Sequence, residues 1–526
     1  MKLRRLLALV LSLVMVASVI SACGNGTNSQ TNNQTGNDAP PANTGSMNDE
    51  QPEGTVIREK VVVALDSTPT SLDPQTGDTV ANKIIWNCTH ESLLGIDPEK
   101  NVVVPELAKD YEISEDGLTY TFHLNEGIKF HNGETLTAND VVYTYTRAFD
   151  MPDVAARLGN LESITAVDET TVEMKLKAVN QDWAFICADQ LFSILSEKAC
   201  TEDEANGAAI GTGPFFSTLY SQNEKVSLER FEDYWGEVAP TKYIDFRVIT
   251  EASSRSVALQ NDEVQAITSP DPIELPVLQG DENLNVIQVT GANVKYLAFN
   301  SFDDVTNNQL IRQAIACALN RDEVILSAVN GMATPAYTMW GPNVYGYNPD
   351  VKTFDYDVEQ AKQLLAEAGY PDGISIELVT TDSMSIQAQM IQSSLKEAGI
   401  EVTINTMDSA GMKNYRLAHE DQMSLQSVSY ASNADDMRWS FGAEGSGNRG
   451  GFVVPEFDEL LDVCMSSSDE AVRQDACTQI QELNAELCWY IPVYADLISV
   501  AANADVAGVV VNNVGIHDFS RITCAE

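Results

Sequence analysis

Asp357-Val-Glu-Gln-Ala-Lys-Gln-Leu-Leu-Ala-Glu-Ala-Gly369 followed by Ile374-Ser-Ile-Glu-Leu-Val-Thr380 reads as a helix, a stop and a strand. Asp357 is placed to cap the helix, Ala361, Leu364, Leu365 and Ala368 share one face, and Gly369 with Pro371 ends it. The unit then recurs. A second helix around Ile386, Met390, Ile391 and Leu395 stops at Gly399, and Ile400-Glu-Val-Thr-Ile404 follows as a strand. Leu395-Lys-Glu-Ala-Gly399 nearly copies Leu365-Ala-Glu-Ala-Gly369, 30 residues on. Strands separated by single helices predict parallel pairing, and hence a layered α/β lobe.

Toward the N-terminus the pattern changes to alternation with a period of two. Thr119-Tyr-Thr-Phe-His-Leu124, Val172-Glu-Met-Lys-Leu-Lys177 and Val226-Ser-Leu-Glu-Arg-Phe231 each alternate polar and apolar residues, which predicts half-buried antiparallel strands. Among these runs, Thr137 with Asp140 predicts a capped helix whose Val141, Val142, Tyr145 and Phe149 share a face. Two lobes of α/β character are expected, one of them carrying an antiparallel subdomain.

At 526 residues the chain has room for about two to four domains with hydrophobic cores. Its 77 acidic and 31 basic residues give a formal net charge of −46. Such a polyanion lacks the clustered cations that hold phosphate backbones, so nucleic acid is excluded as a partner. It is also repelled by anionic lipid surfaces, so attachment to a membrane requires something other than charge. Lys2, Arg4 and Arg5 precede an apolar run from Leu6 to Ile20, which reads as a signal peptide over residues 1–22. The run is shorter than the ~20 residues a membrane span needs. Ile20-Ser-Ala-Cys23 resembles the lipobox of bacterial lipoproteins, in which the Cys thiol receives diacylglycerol. Cys23 is therefore expected to carry lipid and to become the mature N-terminus. Residues 23–55 have Met47 as their only large apolar side chain and read as a disordered tether, with the folded body beginning near Val56.

Eight further cysteines have no CxxC or metal-finger spacing. Buried free thiols are the favoured reading, with a Cys187 to Cys200 bridge left open. The five histidines form no HExxH, and neither a GxSxG elbow nor a GxxxxGK[ST] loop occurs. Gly445-Ser-Gly-Asn-Arg-Gly450 matches GxGxxG but lacks a preceding strand, so it reads as a surface or cleft loop. Acid pairs such as Asp435-Asp436 follow from composition. Tyr430, within Ser427-Val-Ser-Tyr-Ala-Ser432, and Trp439 are aromatics among polar loop residues and are candidates for touching a ligand. No catalytic group, metal or cofactor is predicted. A surface-anchored hydrolase is the rival class, and it would need a nucleophile with a base or an acid pair.

Several stretches, in order and spacing, resemble one family. They are Ser71-Leu-Asp-Pro74, Pro105-Glu-Leu-Ala108, Asp116-Gly-Leu-Thr-Tyr-Thr-Phe-His-Leu124, Gly127-Ile-Lys-Phe-His-Asn-Gly133, Gly211-Thr-Gly-Pro-Phe215, Asp233-Tyr-Trp-Gly236, Leu319-Asn-Arg321 and Ile491-Pro-Val-Tyr494. The chain is similar to the extracytoplasmic solute-binding proteins of ABC importers, the family of oligopeptide, dipeptide and nickel binders (family 5). The resemblance implies a two-lobed periplasmic-binding-protein-like fold with a hinge. Lobe I would be residues 56–287 with 490–526, including an inserted subdomain at 93–207, and lobe II would be residues 288–489. The hinge segments would lie near 287–293 and 486–491.

For function, the resemblance implies a monomer that captures a short peptide or peptide-like solute between its lobes and delivers it to a membrane permease and ATPase. A nickel chelate, an oligosaccharide or another solute is the alternative ligand. Peptide binders of this family commonly hold the α-amino group with an Asp in the loop that corresponds here to residues 427–436. Tyr430 stands in that place, with Asp435 or Asp436 as the alternative for the role, and Asp435 or Asp78 would supply any negative charge. Ser427, Trp439 and Tyr490, with Val80 from lobe I, complete the implied site, and Arg449 would serve a carboxylate.

Overall fold

In the computed structural model, which describes residues 45–47, 51, 54–97, 102–342, 344–430 and 434–526, both helix and strand repeats form. Asp357 accepts a hydrogen bond from the Gln360 amide (2.9 Å) and caps the helix Val358–Glu367, which buries Ala361 and Leu365. The strands Ile374–Thr380 and Ile400–Thr406 pair in parallel along their whole length. Their shared start is tight: a Cβ on Gly373 would lie 2.2 Å from the Gly399 carbonyl oxygen, and both residues have positive φ. Glycine is required at 373 by close approach as well as by conformation.

These strands form one end of an 11-stranded sheet. Next to Ile374–Thr380 lies Met423–Ser429, and then two long strands, Leu284–Phe299 and Tyr490–Asn503, carry the sheet from lobe II into lobe I. There it continues through Ala266–Thr268, Lys60–Leu65, Tyr243–Val248, Lys225–Arg230 and Phe215–Ser221. The lobe II core gathers Leu365, Ile376, Ile391, Leu395, Ile400 and Leu425. That of lobe I gathers Val61, Val63, Ile84, Phe215, Ile244 and Phe246. Removing these apolar side chains from water supplies the main driving force, about 1.5–3 kcal/mol for each large one.

The pairing of the two crossing strands changes register between Thr290 and Val294. Gly291 sits in this irregularity, where a Cβ would lie 2.8 Å from the Asp496 carbonyl oxygen. Tyr490, Ile491, Val493 and Tyr494 pack in the lobe II core, whereas Val500 and Ala502 pack in that of lobe I. The second crossing therefore falls near Asp496, later than the Tyr490 boundary and the 486–491 segment expected from sequence. The first falls at residues 291–293.

The inserted subdomain is a four-stranded antiparallel sheet in the order Ala108–Ile113, Thr119–Leu124, Thr171–Leu176, Leu161–Ala166. Its helix Ala138–Ala148 has the Thr137/Asp140 capping box and buries Val141 and Tyr145, but Phe149 follows its last turn and is exposed. Buried Glu91, just before the subdomain, holds the Asp233-Tyr-Trp-Gly236 stretch, accepting from Tyr234 Oη (2.7 Å) and Trp235 Nε1 (2.9 Å). Asp73, of the Ser71-Leu-Asp-Pro74 motif, pairs with Arg147 at 2.6 Å.

The folded body begins before Val56. Gly45–Met47 forms a strand that pairs antiparallel with Val509–Val511, and Met47 is fully buried in the lobe I core. The one large apolar side chain in the expected tether finds a core, which overrides the polar composition around it. Residues 1–22, Cys23 and the rest of the tether up to residue 44 lie outside the described residues. All eight described cysteines are free and buried. Cys187 belongs to the subdomain core and Cys200 to a separate cluster with Leu195 and Ala208.

Candidate functional site

In open sheets with parallel strands, ligands bind beyond the carboxyl ends of the strands. Thr380, Thr406 and Ser429 end the three lobe II strands. Ser429 is opposite Asn293 in register, and Ser427 is opposite Lys295. This edge therefore meets the crossing at residues 291–293. A chain of polar side chains runs along it. Lys295 Nζ donates to Asp496 Oδ2 at 2.8 Å and also to Asn293 Oδ1, and Asn293 Nδ2 donates to Ser429 Oγ at 3.1 Å. Thr290 and Thr334 hydroxyls lie 3.2 Å apart nearby. The Lys295 side chain is 15% exposed and that of Asp496 38%, so the pair is accessible yet partly shielded from solvent. Both Ser427 and Ser429 are exposed. A cation, a carboxylate, an amide and two hydroxyls at one edge suit a ligand that carries both charges and main-chain-like polar groups.

Lys295, Asp496, Asn293 and Ser429 were not singled out by motif or spacing. The available signal was Lys295, a lone cation within the otherwise apolar run from Val294 to Phe299.

The structure places the expected site residues in three groups. Ser427 is at the edge itself. Tyr430 follows Ser429 but turns inward: it is 1% exposed, donates to Ser440 Oγ at 2.7 Å, and packs on Trp340 with ring centroids 5.4 Å apart. Tyr490 reaches the same serine, donating to its carbonyl oxygen at 2.8 Å, and burial pushes its phenol well above the ordinary range. Trp439, beside Ser440, is 40% exposed and lines a depression of about 490 Å³ with Arg438 and Glu444. Of Asp435, only the backbone, in the helix Ala434–Phe441, is described; its side chain lies outside the described residues.

Arg449 is anchored toward the opposite end of the Met423–Ser429 strand. Its neighbour Gly450 packs against Phe299, which pairs with Met423 at the start of the strand that ends at Ser429. At about 3.3 Å per residue that backbone contact is roughly 20 Å from Ser429 along the strand, while the Arg449 side chain neighbours Tyr296 and Tyr490. Burial, and the adjacent Arg416, disfavour the charged form of Arg449. Tyr490 pairs with Ala298 at that same far end. Tyr490 is buried in the lobe II core, because Tyr490–Asn503 crosses between lobes only near Asp496, and Arg449 is half-buried. In lobe I, Asp78 is engaged with Lys83 (2.7 Å) and Arg157 (3.4 Å), and Val80 opens the helix Val80–Thr89 with 43% exposure.

Among the described residues no cluster of three or more His, Cys, Asp or Glu is arranged to hold a metal ion. No described helix is long and apolar enough to cross a membrane.

This two-lobed fold, with an inserted antiparallel sheet, is that of the periplasmic binding proteins. Residues 102–449 match the family described as bacterial extracellular solute-binding proteins, family 5 Middle. The chain belongs to that family and is an extracytoplasmic, solute-binding protein of an ABC transporter, not an enzyme. It is 26% identical to the dipeptide-binding protein of Escherichia coli over 465 residues, 80% of this chain and 86% of that protein. It is 31% identical to the glutathione-binding protein GsiB of Pectobacterium atrosepticum over 358 residues, 66% of this chain and 69% of that one. The solved structure of HbpA2 from Haemophilus parasuis superposes with a TM-score of 0.83 at 26% identity, covering 89% of this chain and all of the other.

Proposed function

We propose that this protein is the lipid-anchored receptor of an ABC importer for short peptides or peptide-like solutes, which it captures at the lobe II edge. The observation that carries the reading is the Asp496, Lys295, Asn293 and Ser429 chain at the carboxyl ends of the lobe II strands. Relatives named for dipeptide and for glutathione support the ligand class. In this reading Asp496 takes the ligand's α-amino group and Lys295 a carboxylate, each exchanging an internal partner for a ligand one. The exposed serines offer main-chain hydrogen bonds that do not depend on side-chain identity. Tyr430 is left to position the wall through Ser440. Closure would turn the lobes about residues 291–293 and the vicinity of Asp496, where the crossing strands lose register.

Calorimetric titration with a dipeptide, its N-acetylated form and its C-terminal amide tests the site. Strong preference for the free dipeptide over both derivatives is expected, and equal binding of all three excludes a charged anchor. Binding of none of them excludes the peptide class. The anchor is tested separately: Cys23→Ser should leave the membrane fraction, and a variant that stays there is held by something else.

A further inference from the structure

The helices Pro455–Ser466 and Glu470–Leu487 are joined by a short turn in which Asp469 caps the second helix. They fold back on each other as a helical hairpin, and this brings Cys464 and Cys477 together with their sulfurs 3.3 Å apart. The two side chains are 1% and 0% exposed. Their placement is fixed from outside the hairpin. Gly346 presses its backbone on Cys477, so that a Cβ at 346 would lie 2.6 Å from the Cys477 Cβ, and Met437 Sδ sits 4.0 Å from the Cys477 sulfur. Cys187 and Cys200, by contrast, are in separate clusters.

A sulfur separation of 3.3 Å is non-bonded contact, and bond formation at about 2.05 Å asks for little more than an ångström of approach. The family works outside the cytoplasm, where thiols in contact are commonly oxidised. We propose that Cys464 and Cys477 form a disulfide that staples this hairpin. One thiolate attacks an oxidant of the disulfide class, such as glutathione disulfide, and displaces one thiolate from it. The second cysteine then attacks the resulting mixed disulfide and releases the other. Two protein thiols give up two protons and two electrons, and the oxidant is reduced to two thiols. Because both sulfurs are buried, the bond forms as the hairpin folds, before Gly346 and Met437 close over it.

The staple also has a place in the architecture. The residue after Cys464, Met465, accepts a hydrogen bond at its carbonyl oxygen from the Gln181 amide of the inserted subdomain (3.4 Å). The disulfide would fix the spacing of the two helices directly beneath this contact between lobe II and the subdomain of lobe I.

The test uses the full mature chain, unfolded and refolded with glutathione disulfide, then denatured, alkylated without reductant and mapped by mass spectrometry. The expected map joins the Cys464 and Cys477 peptides with a loss of two hydrogens and leaves the other described cysteines alkylated. The melting temperature of the oxidised protein should fall by roughly 2–4 °C on reduction, and Cys477→Ala should remove that difference. Alkylation of both Cys464 and Cys477, or a bridge from either to another cysteine, overturns the proposal. Should Cys477→Ala fail to fold, Cys464→Ala serves for the melting comparison, and the wild-type map decides the pairing by itself.

Discussion

Lys295 and Asp496 lie 201 residues apart in the chain and meet at 2.8 Å, one on each of the two strands that join the lobes. Their ion pair sits beside the point where those strands lose register and opposite the exposed end of the strand carrying Ser427 and Ser429. In the proposed reading, a ligand that offers an amine and a carboxylate substitutes for either partner. The strength of that exchange is the basis of the first prediction.

Asp496→Asn keeps the shape and removes the charge. Affinity for a free dipeptide is expected to fall by about 10- to 100-fold, the loss of one charge-assisted hydrogen bond worth about 1.5–3 kcal/mol. Affinity for the N-acetylated peptide should change little. Titration calorimetry on both ligands measures this, and equal losses would move the amine contact elsewhere.

Tyr430→Phe keeps the ring against Trp340 and removes the bond to Ser440. A stability loss of about 1 kcal/mol is expected in denaturant unfolding, with ligand affinity unchanged within about twofold. Weakened binding at unchanged stability would put the phenol on the ligand.

His131 makes stability depend on pH. Its Nδ1 accepts from the Gly211 amide (3.2 Å), so the neutral ring carries its proton on Nε2, which donates to the Gly213 carbonyl (2.9 Å). Burial lowers its pKa to about 4. The unfolded chain binds this proton near pH 6.5 and the folded chain does not, so the stabilisation is present above pH 6.5 and is lost as pH falls toward 4. His131→Gln should lower stability at pH 7.5 and flatten its decline between pH 6.5 and 4.5, read from denaturant midpoints. An unchanged slope would show that other groups govern acid unfolding.

Met47→Ala should destabilise the body by about 2–4 kcal/mol, as for other buried large-to-small changes. A chain beginning at residue 56 should be destabilised at least as much, because it also loses the pairing of Gly45–Met47 with Val509–Val511. Thermal melts of both proteins check this, and a truncated chain as stable as the longer one would make the strand dispensable.

Local order was legible in the sequence because it has a local cause. Helix caps such as Asp357 and Thr137, the stops at Gly369 and Gly399, and the alternating strands all arise within a few residues, and all appear in the structure. Parallel pairing of Ile374–Thr380 with Ile400–Thr406 followed from the single helix between them. What only the tertiary structure decided depends on partners distant in the chain. The burial of Met47 needed the far C-terminal strand Val509–Val511, and the crossing near Asp496 needed the register of two strands about 200 residues apart. The same holds for the site. Tyr430 was readable as an aromatic among polar neighbours, but Ser440 and Trp340 draw it inward, and Lys295 acquires meaning only when the sheet sets Asp496 against it. Periodicity reports which face of an element is apolar, whereas the pairing of charges across a sheet is set by register, which the chain acquires only on folding.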